Sequence, residues 1–176
     1  MKKLMIVAAI VCAAALSQAA TVNWGISNVT KPNETVTKGW AVMAFYTEVG
    51  AGTADIVKAI NGKTASALSF DNTQTLNVSF SKGKVSAHDV TVDGLDTSKN
   101  YDFYFAVFNN ADATKATEYV LVGDLNKAYS GVDTKYSPAG DFTSASWNTI
   151  SAVPEPTSGL LLLLGVAGLA LRRRRA

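Results

Sequence analysis

Tyr101-Asp102-Phe103-Tyr104-Phe105-Ala106-Val107-Phe108 carries apolar side chains on both parities: Tyr101, Phe103, Phe105 and Val107 on one, Tyr104, Ala106 and Phe108 on the other. Successive residues of a strand point to opposite faces of its sheet. A strand written this way is covered on both sides and belongs in the middle of a sheet. Trp40 to Val49 repeats the pattern, with Val42, Ala44 and Tyr46 on one parity and Met43 and Phe45 on the other, and reads as a second central strand.

Around these two, the runs are shorter and apolar on one parity only, as in half-buried strands. Val22, Trp24 and Ile26 alternate, as do Leu76, Val78 and Phe80. The latter run into Ser81-Lys82-Gly83-Lys84, expected to be a tight hairpin whose glycine takes a positive φ. Val85 and Ala87 continue on the return strand, but Val90 and Val92 fall on the opposite parity. The apolar face stays inward only if one residue is inserted near His88-Asp89, which predicts a β-bulge there. Further strands are expected at Glu118 to Val122 and Phe142 to Trp147, with Gly123, Gly131, Pro138 and Gly140 marking connections. One helix interrupts the pattern. Thr53 is placed to cap it, Ile56, Val57 and Ile60 form its apolar stripe, and Asn61-Gly62 is expected to end it in a left-handed turn.

These elements predict an all-β fold, an antiparallel β-sandwich of about seven to nine strands with one short helix. Within it, Val92-Asp93-Gly94-Leu95-Asp96-Thr97-Ser98-Lys99-Asn100-Tyr101 resembles the tyrosine-corner segment of fibronectin type III and related sandwiches. The resemblance implies that the Tyr101 hydroxyl pins the preceding loop through a backbone hydrogen bond.

Both ends of the chain differ in character from this middle. Lys2 and Lys3, the apolar stretch Leu4 to Leu16 and the small residues Ser17-Gln18-Ala19-Ala20 have the layout of a secretory signal peptide over 1–20, with cleavage expected after Ala19 or Ala20. The apolar stretch is well short of the roughly 20 residues that span a bilayer. Cys12, the one cysteine, lies inside it; Val11 before it and Ala13 to Leu16 after it do not suit lipid attachment. The mature domain is therefore expected to hold no thiol or disulfide.

At the other end, Val153-Pro154-Glu155-Pro156-Thr157-Ser158 forbids helix and ladder alike, because two prolines fall within three residues. Gly159 to Leu171 follows without a charge. At 1.5 Å per residue that helix would be about 20 Å long, short of a hydrocarbon core of about 30 Å. Arg172, Arg173, Arg174 and Arg175 compensate by snorkelling, and by the positive-inside rule hold this end in the cytoplasm. Pro-Glu-Pro, apolar helix and terminal arginines together resemble the PEP-CTERM sorting tail of exported bacterial proteins, here Val153 to Ala176. The resemblance implies that an exosortase, an integral-membrane protease, recognises Val153, Pro154, Glu155 and Pro156 and removes or replaces the helix. It also implies delivery to the envelope, cell surface or extracellular matrix. The expected organisation is a signal peptide (1–20), a sandwich domain (21–152), and a sorting signal (153–176) with extended motif 153–158, transmembrane helix 159–171 and basic tail 172–176.

The two ends also account for the bulk charge. Of 16 basic residues, six sit in Lys2, Lys3 and the arginine cluster, leaving ten in the middle against 13 acids once Glu155 is set aside. A mildly acidic domain has no basic face for nucleic acid.

The middle nominates no catalytic centre. His88 is the one histidine, so it alone could serve a serine as base, and no His-His metal pair can form. Asp89, Asp93, Asp96 and Asp102 are close in sequence but miss the spacing of a calcium loop; aspartates in turns commonly bond their own backbone. Gly50-Ala51-Gly52 lacks the further residues of a nucleotide loop. No catalytic residue, cofactor or metal is expected. The expected partners are signal peptidase and Sec-type export machinery, the exosortase, the membrane through the C-terminal helix, and extracellular polysaccharide. The leading expectation is a non-enzymatic surface or matrix protein. The alternatives are a carbohydrate-binding module using Trp24, Trp40 or Trp147, and a glycan-processing enzyme with a pair of carboxylates.

Overall fold

The computed structural model describes residues 20–96, 99–128, 135–136, 142 and 145–151. Among them run β1 (Ala20–Val29), β2 (Ala41–Glu48), α1 (Ala54–Asn61), β3 (Asp71–Thr75), β4 (Asn77–Ser79), β5 (Lys82–Val92), β6 (Asn100–Phe108), β7 (Glu118–Ala128), β8 (Lys135–Tyr136) and β9 (Asn148–Thr149). They form two sheets, ordered β4-β5-β1-β8 and β3-β2-β6-β7-β9. Every pairing is antiparallel except the two-residue contact of β1 with β8.

The sheets face each other across one core. Val22, Trp24 and Ile26 of β1 and Val85, Ala87 and Val92 of β5 meet Val42 and Ala44 of β2, Phe103, Phe105 and Val107 of β6, and Val120 of β7. Trp24 stacks on Phe105 with ring centroids 5.2 Å apart. The other parity of β2 and β6 builds a second core, in which Met43, Phe45, Tyr104, Ala106 and Phe108 are covered by Ile56 and Ile60 of α1. This is why both strands are apolar on two faces. Each lies between two partners, and β6 is the middle strand of five.

The chain changes sheets at Leu76. β3 pairs with β2, β4 pairs with β5, and Leu76 between them exchanges backbone bonds with the β2 side: its N–H donates to Trp40 O and its carbonyl accepts from Gly39 N, both at 2.8 Å. The leucine side chain is fully buried in the inter-sheet core.

The expected bulge is present. Val22 pairs with Val90 and Trp24 with Ala87, so β5 carries one extra residue at His88-Asp89. Asp89 has φ 54°, and its N–H donates to Asn23 Oδ1 at 2.8 Å. Two further register shifts hold Asn28 (φ 59°) in β1 and Asn126 (φ 54°) in β7. Asn and Asp tolerate the left-handed region better than other side chains with a Cβ.

Three expectations are corrected. The hairpin turn is Phe80-Ser81, both at positive φ (51° and 67°), with Ser79 paired to Lys82. Two left-handed residues match the twist of the flanking strands. Phe80, expected on the inward face, is instead 99% exposed at the tip, and Gly83 lies within β5. Its glycine identity answers to packing, since a Cβ there would meet Leu76 Cδ2 at 2.5 Å. Secondly, α1 ends without a left-handed glycine. Gly62 is right-handed (φ −78°) and Lys63 takes φ 58°, while Thr53 stands at the N-cap without a side-chain bond. Thirdly, residues 145–147 are not strand; the last strand is Asn148–Thr149, paired with Glu118–Tyr119. Phe142 is buried in the inter-sheet core and Trp147 packs against it, so the apolar residues of that stretch fill volume without joining a ladder.

Candidate functional site

A set of contacts holds residues 147–151 to the rest of the domain. Trp147 packs edge-on against Trp40, centroids 5.5 Å apart at 74°, and its indole Nε1–H donates to Thr30 O at 2.9 Å, 117 residues away in sequence. The Lys31 ammonium stands 5.4 Å from the Trp147 ring centroid and pairs with Glu34 and Glu118. Burial, the largest single influence on Lys31, pulls its pKa down, but hydrogen bonds and charge from Glu118 and Glu34 carry it above the ordinary 10.5. Beyond Trp147, β9 pairs with β7. Ile150 N–H donates to Thr117 O at 2.8 Å, and its side chain is buried in the second core. Ser151 N–H donates to Asn61 Oδ1 at 3.1 Å, at the end of α1. Asn61 and Leu68 also line an open groove of about 700 Å³.

Of the residues expected to act in sorting, Ala20 opens β1 and pairs with Val92. Ala19, Val153, Pro154, Glu155, Pro156 and Arg172 to Arg175 lie outside the described residues, as do the two expected terminal helices. Among the described residues, no helix is long and apolar enough to cross a membrane. The anchoring of residues 147–151 escaped the sequence reading because its contacts join Thr30, Lys31, Trp40, Asn61, Thr117 and Trp147, residues that no local pattern links. The one signal was a tryptophan and an isoleucine close before the first of the two prolines.

His88 and the buried carboxylates Asp71, Asp102 and Asp124 each have a polar neighbour in the fold. His88 Nε2 lies 3.1 Å from Ser86 Oγ on the exposed face of β5. Asp71 is buried and accepts the Trp24 indole N–H at 2.8 Å. Asp102 is buried and accepts Gly50 N–H at 3.0 Å and Asn126 N–H at 2.7 Å. Asp124 pairs with Lys127 at 3.1 Å. Asp124 stands opposite Phe103 and shares its face, whereas Asp102 is on the other parity, so these two carboxylates point to opposite sides of the sheet. Asp89, Asp93 and Asp96 are exposed. Among the described residues no three His, Cys, Asp or Glu side chains gather as a metal site would need.

The loop entering β6 is held by two tyrosines. Tyr101 Oη accepts Asp96 N–H at 2.8 Å, the hydrogen bond expected from the sequence. Tyr46 O–H donates to Asp93 O at 3.1 Å, and the two rings meet edge-on, centroids 5.5 Å apart. Burial, then the neighbouring Tyr101 and Asp93, push the Tyr46 pKa up. The tryptophans form no sugar platform: Trp24 and Trp40 are buried, and half-buried Trp147 is covered by Trp40 and Lys31.

No curated protein and no solved structure matches the chain. Residues 152–175 match the family model of the PEP-CTERM protein-sorting motif, and this match begins at the residue after Ser151, whose N–H donates to Asn61 Oδ1. The C-terminal part of the chain thus carries a PEP-CTERM protein-sorting motif.

Proposed function

We propose that this protein is an exosortase substrate, exported and sorted to the cell envelope, surface or extracellular matrix, whose sandwich domain serves there without catalysis. The carrying observation is the sorting motif at 152–175, which follows directly on Ser151. In this reading Lys2, Lys3 and the apolar run after them direct Sec-type export. Cleavage falls after Ala19, since cutting after Ala20 would remove the residue of β1 that pairs with Val92. The helix 159–171 holds the chain in the inner membrane with Arg172 to Arg175 in the cytoplasm. The exosortase then acts at Val153-Pro154-Glu155-Pro156. From Ser151 to Pro154 an extended chain spans at most about 11 Å, so the protease must work close to the folded domain.

Fractionation with mass measurement of the mature chain tests this. The expected product begins near Ala20, ends near Pro156 and is recovered from the envelope or medium. A surface-exposed chain that keeps Arg175 would refute the sorting reading.

A second reading, polysaccharide binding, no longer has the tryptophans to support it. What favours it is a depression of about 390 Å³ with Met43 and Phe108 at its base and Lys63, Asn72, Asp112 and Thr114 around it, an apolar floor with polar groups in the manner of small-ligand sites. Loss of retention on matrix polysaccharide in Asn72→Ala is the expected outcome, and unchanged retention counts against it.

A further inference from the structure

The outer face of the four-stranded sheet is polar and carries two lysines without acids to pair with. Burial alternates along β5: Gly83, Val85 and Ala87 turn to the core, and Lys82, Lys84, Ser86 and His88 are exposed. On the neighbouring strands Ser79 lies opposite Lys82, Asn77 opposite Lys84 and Gly25 opposite Ser86. Between them is a shallow depression of about 290 Å³ lined by Ser27, Asn77, Lys84 and Ser86 around Gly25, together with Ile26 and Val85. Neither lysine forms an ion pair among the described residues. Asp89 is the one acid in β1, β4 and β5. Five residues of strand put it about 17 Å from Lys84, beyond the reach of a screened surface charge.

Phe80 stands at one end of this face, two residues from Lys82. Its φ is 51°, at a turn position that suits Asn, Asp or Gly, and its side chain is 99% exposed. A bulky left-handed residue is an outlier, and here the fold gains no packing from it. What the turn presents is an aromatic ring in solvent beside two cations.

We propose that this face binds an acidic polysaccharide, a polymer of sugar rings that bear carboxylates. Lys82 and Lys84, about 7 Å apart along the strand, meet the carboxylates. Ser27, Asn77 and Ser86 exchange hydrogen bonds with ring hydroxyls in the depression, which Gly25 leaves open by having no side chain. Phe80 covers the apolar face of a sugar at the end of the sheet. A polymer lying along the strands touches all of these groups, whereas a bilayer meeting the hairpin would reach Phe80 and leave the depression uncovered. Two cations on a mildly acidic domain are too few for a phosphate backbone. The site is separate from the depression around Asn72, which is built on the five-stranded sheet. It rests on the export reading only for the place where such a polymer is met.

Retention of the full chain on immobilised polygalacturonate tests the proposal, with the methyl ester of the same polymer as the uncharged match. The basic residues at the two ends of the chain are common to every variant, so variants are compared with one another. Lys82→Gln with Lys84→Gln should weaken retention at least about threefold, the effect of losing two exposed charge contacts. On the ester this variant should behave as the parent. Lys58→Gln with Lys99→Gln makes the same charge change on exposed lysines of α1 and the loop entering β6, and should leave retention nearly unchanged. Phe80→Asn suits the turn better, so it should keep or raise stability while weakening retention about twofold or more. Equal losses from the two lysine pairs, or an equal loss on the ester, overturn the proposal. So does a loss in Phe80→Asn with none in the Lys82 and Lys84 variant, which would mark an apolar partner such as a membrane. A loss in Asn72→Ala with none at the lysines overturns it in favour of the other depression.

Discussion

Replacing Gly83 with alanine tests the packing account of β5. The new Cβ would stand 2.5, 2.7 and 2.8 Å from Leu76 Cδ2, Cγ and Cδ1, where carbon atoms prefer about 3.5–4.0 Å. Leucine must therefore retreat by about 1 Å. It has nowhere to go: its side chain is fully buried, and its backbone is held on both sides by Trp40 and Gly39. Inserting a methyl into a packed core costs about 1–3 kcal/mol. Against this stands the entropy that alanine spares the unfolded chain, about 0.4–1 kcal/mol. The expected net loss is about 1–2 kcal/mol, read as a lower urea midpoint followed by tryptophan fluorescence. Leu76→Ala alone should cost about 2–5 kcal/mol through its cavity. In the double variant the alanine methyl enters that cavity, and the two losses should fall short of their sum by about 1 kcal/mol. A stable Gly83→Ala protein, or strictly additive losses, would refute the packing account and return Gly83 to a conformational role.

Three other outcomes follow from contacts already described. Tyr101→Phe removes the acceptor of Asp96 N–H and should cost about 0.5–1.5 kcal/mol in denaturant, with faster amide exchange at Asp96 as its local mark. Trp147→Ala loses the Trp40 contact, the bond to Thr30 and the lysine above the ring. Trp147 is half-buried, so its loss should be about 2–3 kcal/mol, below the roughly 3–5 of a fully buried tryptophan. Raising the pH should weaken the fold above about pH 10. Burial raises the pKa values of Tyr46, Tyr104 and Tyr119 above the ordinary 10.0, and the two glutamates raise that of Lys31 above 10.5. A group whose pKa is raised by folding contributes its full stability below its unfolded value and loses it as pH climbs through the folded one. Urea midpoints measured between about pH 8 and 11 should fall, and Tyr46→Phe should lessen the fall; a flat profile in the parent protein contradicts this.

What was legible in the sequence was what periodicity encodes. The two-sided apolar pattern of β2 and β6 located both central strands, and the parity switch between Ala87 and Val90 located the bulge at Asp89. The Tyr101 hydrogen bond was legible through the resemblance of Val92 to Tyr101 to a tyrosine-corner segment. Gly83 was misread because a glycine beside a turn and a glycine under a leucine look alike until the leucine is placed. Phe80 was misread because alternation continues on paper after the strand has stopped. The contacts of Trp147, Ile150 and Ser151 were invisible for another reason: they join residues distant in sequence, and a local pattern has no term for such a pair. The sorting motif needed no fold at all, since prolines, an apolar run and arginines act through order along the chain.

The place of β1 in its sheet has a consequence for timing. It precedes the other described strands in the chain, yet it lies between β5 and β8, and its partners arrive only with Gly83 to Val92 and Lys135. Folds dominated by such distant pairings form slowly. In the Sec-type export proposed above, where the chain passes the membrane unfolded, this delay helps: β1 stays unpaired while the rest is still being threaded, and the sandwich closes once its later strands have crossed.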